Sequence, residues 1–303
     1  MKDCIKFIKS EIKESPDNEL YSINFNKNIK LVDLRHDNVV KVETMLRYNS
    51  SYSQFDYLNK KDSEIYSNVT KELTKYKINN DINYRYSSTF YIKAFKERYY
   101  NKKIYEKDNE YKYLLYIILR KINSENSTRT SLDGIKIITQ RIFDNFSPSE
   151  LIKQLQEPFD KNFEYNKCQY KLIDCISKET KQNDNNTRYN FSLASKFCHY
   201  MNFNIFDGTS DSIKYQDIFS IYDTVVKDNL KYYYKYYVGK EIPKNIVYLY
   251  SKYEIDNNKK NLVEIYRNFQ YLIDEIIKSV NCCISRNGFD HLVWYTNKGI
   301  RKS

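Results

Sequence analysis

From Leu262 to Val280 the apolar residues return at three- and four-residue steps: Leu262, Ile265, Tyr266, Phe269, Leu272, Ile273, Ile276, Ile277 and Val280. That spacing lays all nine along one stripe of an α-helix, and a stripe this long has to be covered by other elements. The following "SRNG" (Ser285 to Gly288) is expected to end the helix, its Asn-Gly supplying a left-handed cap. A second sharp signal is "SPSE", in which Ser147 as N-cap, Pro148 at the first helical position and Glu150 form a capping box, with Pro158 closing that helix. Further helices are predicted near 1–15, 62–77, 84–100, 110–123, 131–144, 165–180, 191–203, 224–237 and 244–254. Only Ser22 to Leu34 alternates with period two, which suits a small N-terminal β-hairpin. With 5 Gly and 4 Pro there is little material for the tight turns of a larger sheet. The expected fold class is all-α with that hairpin appended, divided near "NKKIYEKDNE" into regions 1–105 and 106–303.

The N-terminal "MKDCIKFIKSEIKES" is charged throughout and no apolar run approaches a membrane span, so a cytoplasmic protein with no membrane partner is expected. The formal charge is +11. Part of this follows from a coding sequence rich in A and T, which enriches lysine, asparagine, isoleucine and tyrosine together. Acidic residues have not risen to match, so the surface stays net positive and suits a polyanionic partner.

Chemistry that needs a cofactor finds no support in the sequence. There is no glycine-rich phosphate loop, so neither nucleotide hydrolysis nor a dinucleotide cofactor is expected. His36, His199 and His291 lack local ligand partners, and the six cysteines show no metal spacing, so no metal is expected. The cysteines read as reduced, buried small hydrophobes. "LKYYYKYYVGK" (Leu230 to Lys240) interleaves rings with lysines as a surface for single strands would. Val226, Leu230, Tyr233, Tyr234 and Tyr237 nevertheless fall at helical spacing, which assigns most of these rings to the core.

The stretch "NFSLASKFCHYMN" (Asn190 to Asn202) is the one that raises a question of chemistry. At 100° per residue, Phe191, Leu193, Ala194, Phe197, Cys198 and Met201 gather on one side, while Ser192, Ser195, Lys196 and His199 gather on the other. The pattern is an amphipathic helix with Lys196 on its polar, solvated face beside His199.

Downstream, "FSIYDTVV" sets Asp223 immediately before a new helical pattern. A helix bearing "ASK", an insertion and then "IYD" with a following valine resembles bacterial 8-oxoguanine-type DNA glycosylases of the helix-hairpin-helix superfamily. The likeness covers about Phe191 to Val226, with an echo in "FDHLVW" (Phe289 to Trp294). Ser220 stands where that pattern has proline, no glycine precedes Lys196 in "NTRYNFSLASK", and "DGTSDSIKYQD" (Asp207 to Asp217) lengthens the interval.

The resemblance implies a helix-hairpin-helix glycosylase architecture, double-stranded DNA with a flipped base as partner, and excision of a damaged or modified base. It implies Lys196 as the nucleophile attacking the sugar and Asp223 as the assisting carboxylate, with His199 and Tyr222 as supporting residues. Both housekeeping repair and defence against foreign modified DNA fit this chemistry. The amine must be neutral to attack, which calls for burial or a neighbouring cation such as protonated His199. Asp223 in that position also suits the N-cap of the next helix. The rival readings are a non-catalytic helical nucleic-acid-binding protein and a protein-interaction subunit that uses its tyrosine-rich surface.

Overall fold

The computed structural model describes residues 20–27, 29–49, 88–126, 128–156, 171–179, 188–210, 212–215, 217–249, 262–280 and 284–296. It is mostly helical, with two small antiparallel pairs of strands. The chain forms two compact units that interleave in sequence: residues 83–222 with 247–270, and residues 1–82 with 223–246 and 271–303.

In the unit formed by 83–222 and 247–270, α2 (Ser88–Phe95) runs directly into a π-helical turn (Lys96–Asn101). It is followed by α3 (Asn109–Glu125), α4 (Leu132–Asn145), α5 (Pro148–Gln156) and α6 (Lys171–Ser177). The ends of these helices are set by short polar side chains, as the orphan N–H groups of a first turn require. Asp108 accepts from Tyr111 N and Ser131 from Gly134 N. The capping box at Ser147 forms in both directions: Ser147 N donates to Glu150 Oε2 at 2.7 Å and Glu150 N donates to Ser147 Oγ at 3.3 Å. Phe95, Tyr99 and Tyr111 meet in a buried cluster, ring centroids 4.9 to 6.1 Å apart.

A short ladder, β3 (Lys178–Glu179) with β4 (Arg188–Tyr189), closes the polar stretch that precedes α7 (Phe191–Phe206). Asn190 starts α7, its Oδ1 accepting from Leu193 N at 2.9 Å while its amide donates to Thr128 O and Thr130 Oγ1. Helix α7 packs against α2, α3, α5 and α6. A single short turn, α8 (Ser212–Tyr215), interrupts the insertion after it.

In the other unit the expected hairpin forms, β1 (Ser22–Asn26) with β2 (Ile29–Val32), carrying a register shift between Asn24 and Asn26. Helix α1 (His36–Asn49) follows, packing against α11 (Arg286–Tyr295), which also packs against α9 (Thr224–Val238). The tyrosine run divides as its spacing predicts. Val226, Leu230, Tyr233 and Tyr234 are buried, whereas Tyr236 is exposed. Tyr233 Oη accepts from Val32 N at 3.1 Å, and Tyr237 Oη accepts from Leu34 N at 2.7 Å while donating to Asp33 Oδ1. The hairpin exit is thus held by side chains of α9. Gly239 ends α9 at φ 76°, a left-handed position where a side chain would be strained.

Helix α10 (Leu262–Lys278) bears the stripe of the last apolar pattern, and its Val263, Ile265, Tyr266, Phe269, Leu272, Ile273 and Ile276 are buried. Two expectations are corrected. Ser285 does not belong to a terminating cap: its Oγ accepts from Gly288 N at 3.0 Å, so "SRNG" opens α11. The hydroxyl placed three residues before an amide captures that N–H more readily than Asn287 adopts a left-handed turn. The helix expected at 244–254 is not formed over 244–249, where Pro243 O instead accepts from Ile246 N in a turn. Pro243 lacks an N–H, and the tight turn after it redirects the chain. Helix α1 was not anticipated. The helices expected near 1–15 and 62–77, Pro158, and Cys4, Cys168, Cys282 and Cys283 lie outside the described residues. Among the described residues no helix is long and apolar enough to cross a membrane.

Candidate functional site

Helix α7 is not amphipathic in its surroundings. Fourteen of its sixteen residues are buried, including Ser195, Lys196 and His199, the residues assigned by pattern to a solvated face. Lys196 is 8 % exposed and is the only buried lysine among the described residues. The correction has a physical cause in the segment Asp217–Tyr222, which is itself buried and has no regular structure. Buried backbone N–H and C=O groups must find partners, and an irregular segment cannot supply them from within. The polar side of α7 faces backbone rather than water.

The bonds that do this come from two helices. From α7, His199 Nδ1 lies 2.8 Å from Phe219 O, and Ser195 Oγ accepts from Tyr222 N at 2.9 Å. From α10, Tyr266 Oη donates to Ser220 O and Gln270 Nε2 donates to Ile218 O, each at 2.6 Å. Four hydrogen bonds thus converge on one strap of five residues, Ile218 to Tyr222. A carbonyl can only accept, so His199 Nδ1 carries a hydrogen, and the charge of the ring is decided at Nε2. His199 is 1 % exposed, and its ring lies among those of Tyr200 and Phe203. Tyr222 is fixed at both ends, its N–H on Ser195 and its hydroxyl donating to Tyr248 O at 2.9 Å. Its ring packs against Phe191 and Phe269.

Further along the same face of α7, Asn202 Nδ2 donates to Leu155 O at 2.6 Å. Asn202 Oδ1 and Ser220 Oγ are buried with no hydrogen-bond partner among the described residues. Cys198, on the opposite side of α7, is buried among apolar residues, and burial holds its thiol well above the ordinary range. Burial likewise pushes the Cys175 thiol up to about 11.

Of the residues named from sequence, Lys196, His199 and Tyr222 share one unit, and the strap joins the last two to α7. Asp223, the next residue along the chain, opens the other unit as the N-cap of α9, its Oδ1 accepting from Val225 N at 2.8 Å. Asp223 is 7 % exposed. Sequence reading missed Ser195, Tyr266 and Gln270 as partners of the strap. A usable signal existed for Gln270: it lies one turn from Tyr266 on a helix whose neighbours at that spacing are apolar. Among the described residues no group of His, Cys, Asp and Glu is arranged to hold a metal ion. Comparison with protein-family models, curated proteins and solved structures finds no match, so the residues and their geometry alone carry the functional reading.

Proposed function

We propose that the chain is a DNA glycosylase of helix-hairpin-helix type that excises a damaged or modified base, with Lys196 as nucleophile and Asp223 as assisting carboxylate. The observation that carries this reading is the burial of Lys196. It is the only buried lysine among the described residues, on a helix whose Ser195 and His199 side chains are committed to the backbone of the strap. A nucleophilic lysine must be held away from bulk water and in a fixed place, and a lysine inside a buried helix meets both requirements.

In the proposed step the neutral amine attacks the sugar carbon of a flipped nucleotide. The bond to the base breaks, and the base leaves with the bonding electrons. The new ammonium gives up its surplus proton, the ring oxygen takes one up as the sugar opens, and a protonated imine is left between Lys196 and the DNA; in this reading Asp223 is the carboxylate that assists the proton transfers. His199 and Tyr222 act as positioning residues, through the strap.

Borohydride trapping on duplexes carrying a panel of modified bases tests the reading. The wild-type chain is expected to give a covalent adduct on at least one duplex. Because Lys196 is buried, truncation to alanine would leave a cavity, so Lys196→Met, similar in length and apolar, is the informative variant. It should melt near the wild type and give no adduct, and Lys196→Arg should also give none. An adduct that persists in a folded Lys196→Met chain overturns the assignment. A wild-type chain that binds DNA but traps on no duplex supports a non-catalytic binding protein instead.

A further inference from the structure

The outward side of α9 carries a pattern that the proposed catalysis does not use. Lys231 and Lys235 lie one turn apart, and so do Tyr232 and Tyr236, so amines and rings form two adjacent rows along the helix. Each row advances by about 6 Å per turn at 1.5 Å per residue.

The tyrosines of this run have split duties. Tyr233 and Tyr237 point inward, and their hydroxyls hold the backbone of Val32 and Leu34. Tyr236 is 47 % exposed, and its ring is braced edge-on by that of Tyr237 at 5.0 Å. Tyr232 is braced from the hairpin by Phe25, with ring centroids 5.5 Å apart, and Lys231 Nζ sits 4.8 Å over its ring. The outward rings therefore stand on anchored neighbours and have little freedom to lose when a ligand stacks on them.

The charge on this side of the helix favours an anion. Lys231 and Lys235 are exposed and Lys227 is half-buried on one face of the helix, with Asp228 the exposed acid of α9 and Glu241 following it. Glu241 is bonded to Lys235. Exposed rings beside exposed amines are of use to a polyanion whose flat apolar faces are accessible. A duplex hides those faces in its stack, whereas a single strand presents them.

We infer that the outward face of α9, with Tyr232 and Tyr236 as stacking rings and Lys231 as phosphate contact, binds single-stranded nucleic acid. This surface acts independently of Lys196.

Fluorescence anisotropy with the full chain, a labelled oligothymidylate and the matching duplex tests it. The wild type is expected to bind the single strand more tightly than the duplex. Tyr236→Ala should weaken single-strand binding by roughly 5- to 150-fold, the range for losing one stacked base. Lys231→Ala should reduce the slope of log affinity against log salt by about 0.7. Both residues are exposed, so the melting temperature should hold in each variant.

Equal affinity for strand and duplex, or a Tyr236→Ala chain that binds as tightly as wild type, overturns the inference. The catalytic reading fails separately: loss of binding on Tyr236→Ala in a chain that never traps leaves this surface standing. Trapping by wild type with unaltered Tyr236→Ala binding leaves only the catalysis standing.

Discussion

Replacing Tyr266 by phenylalanine isolates one bond of the strap. The ring of Tyr266 is fully buried and stays in place, so no cavity opens, and only the hydroxyl that donates to Ser220 O at 2.6 Å is lost. Ser220 O is then a buried carbonyl without its donor, at a cost of about 1–3 kcal/mol. For a chain of this size each kcal/mol should lower the melting temperature by about 2–4 °C. Urea denaturation is the direct assay, with an unchanged m-value and a lower midpoint expected. Tyr271→Phe is the control: it lies on the same helix and is partly exposed, so its change should stay within about 0.5 kcal/mol. Gln270→Met removes the neighbouring donor to Ile218 O, and the double variant should deviate from additivity because both bonds hold one short segment. A Tyr266→Phe chain indistinguishable from Tyr271→Phe would show that side chains of α10 do not hold the strap.

Three other outcomes follow. Asp223→Asn keeps the cap on α9, since asparagine caps about as well as aspartate, so melting should change little while single-turnover excision slows by roughly 10² to 10⁴-fold; excision near wild type from the folded variant refutes the assisting role. Affinity for DNA should fall by roughly 10³-fold or more between 50 and 200 mM salt if about six phosphates are contacted, and a flat profile excludes a nucleic-acid role. Stability should decline in alkali: the Cys175 thiol, raised by burial to about 11, and the Cys198 thiol, also raised by burial, keep their protons when folded. Unfolded thiols ionise near pH 8.5, so from there to about pH 11 the unfolded chain holds fewer protons and unfolding is favoured. A urea midpoint that is constant or rising from pH 8 to pH 10.5 contradicts this.

What could be read from the sequence was whatever a single helix decides for itself. The stripe from Leu262 to Ile276 declared α10, the pair Ser147 and Glu150 declared α5, and the spacing of Val226, Leu230, Tyr233 and Tyr234 separated inner from outer tyrosines. Helix α1 was hidden because its described apolar residues, Val39, Val40 and Val42, are β-branched and lack a 3.6-residue period. The environment of Lys196 was hidden for a different reason. Periodicity identifies a polar face but not what lies opposite it, and here the opposite surface is backbone of Ile218 to Tyr222 rather than solvent. "SRNG" was ambiguous between a helix end and a helix start, and the distance from Ser285 Oγ to Gly288 N decided it.

The strap also sets an order of events during synthesis. Helix α7 and the strap leave the ribosome before α10 exists, so Ser220 O and Ile218 O have no donors until Tyr266 and Gln270 have been translated. Until then the two carbonyls of the strap have only water to satisfy them. Completion of the strap's hydrogen bonds is thus a late event for the nascent chain. Chains stalled or truncated before α10 would be expected to expose the strap to protease while the earlier helices α3 to α6 already resist it.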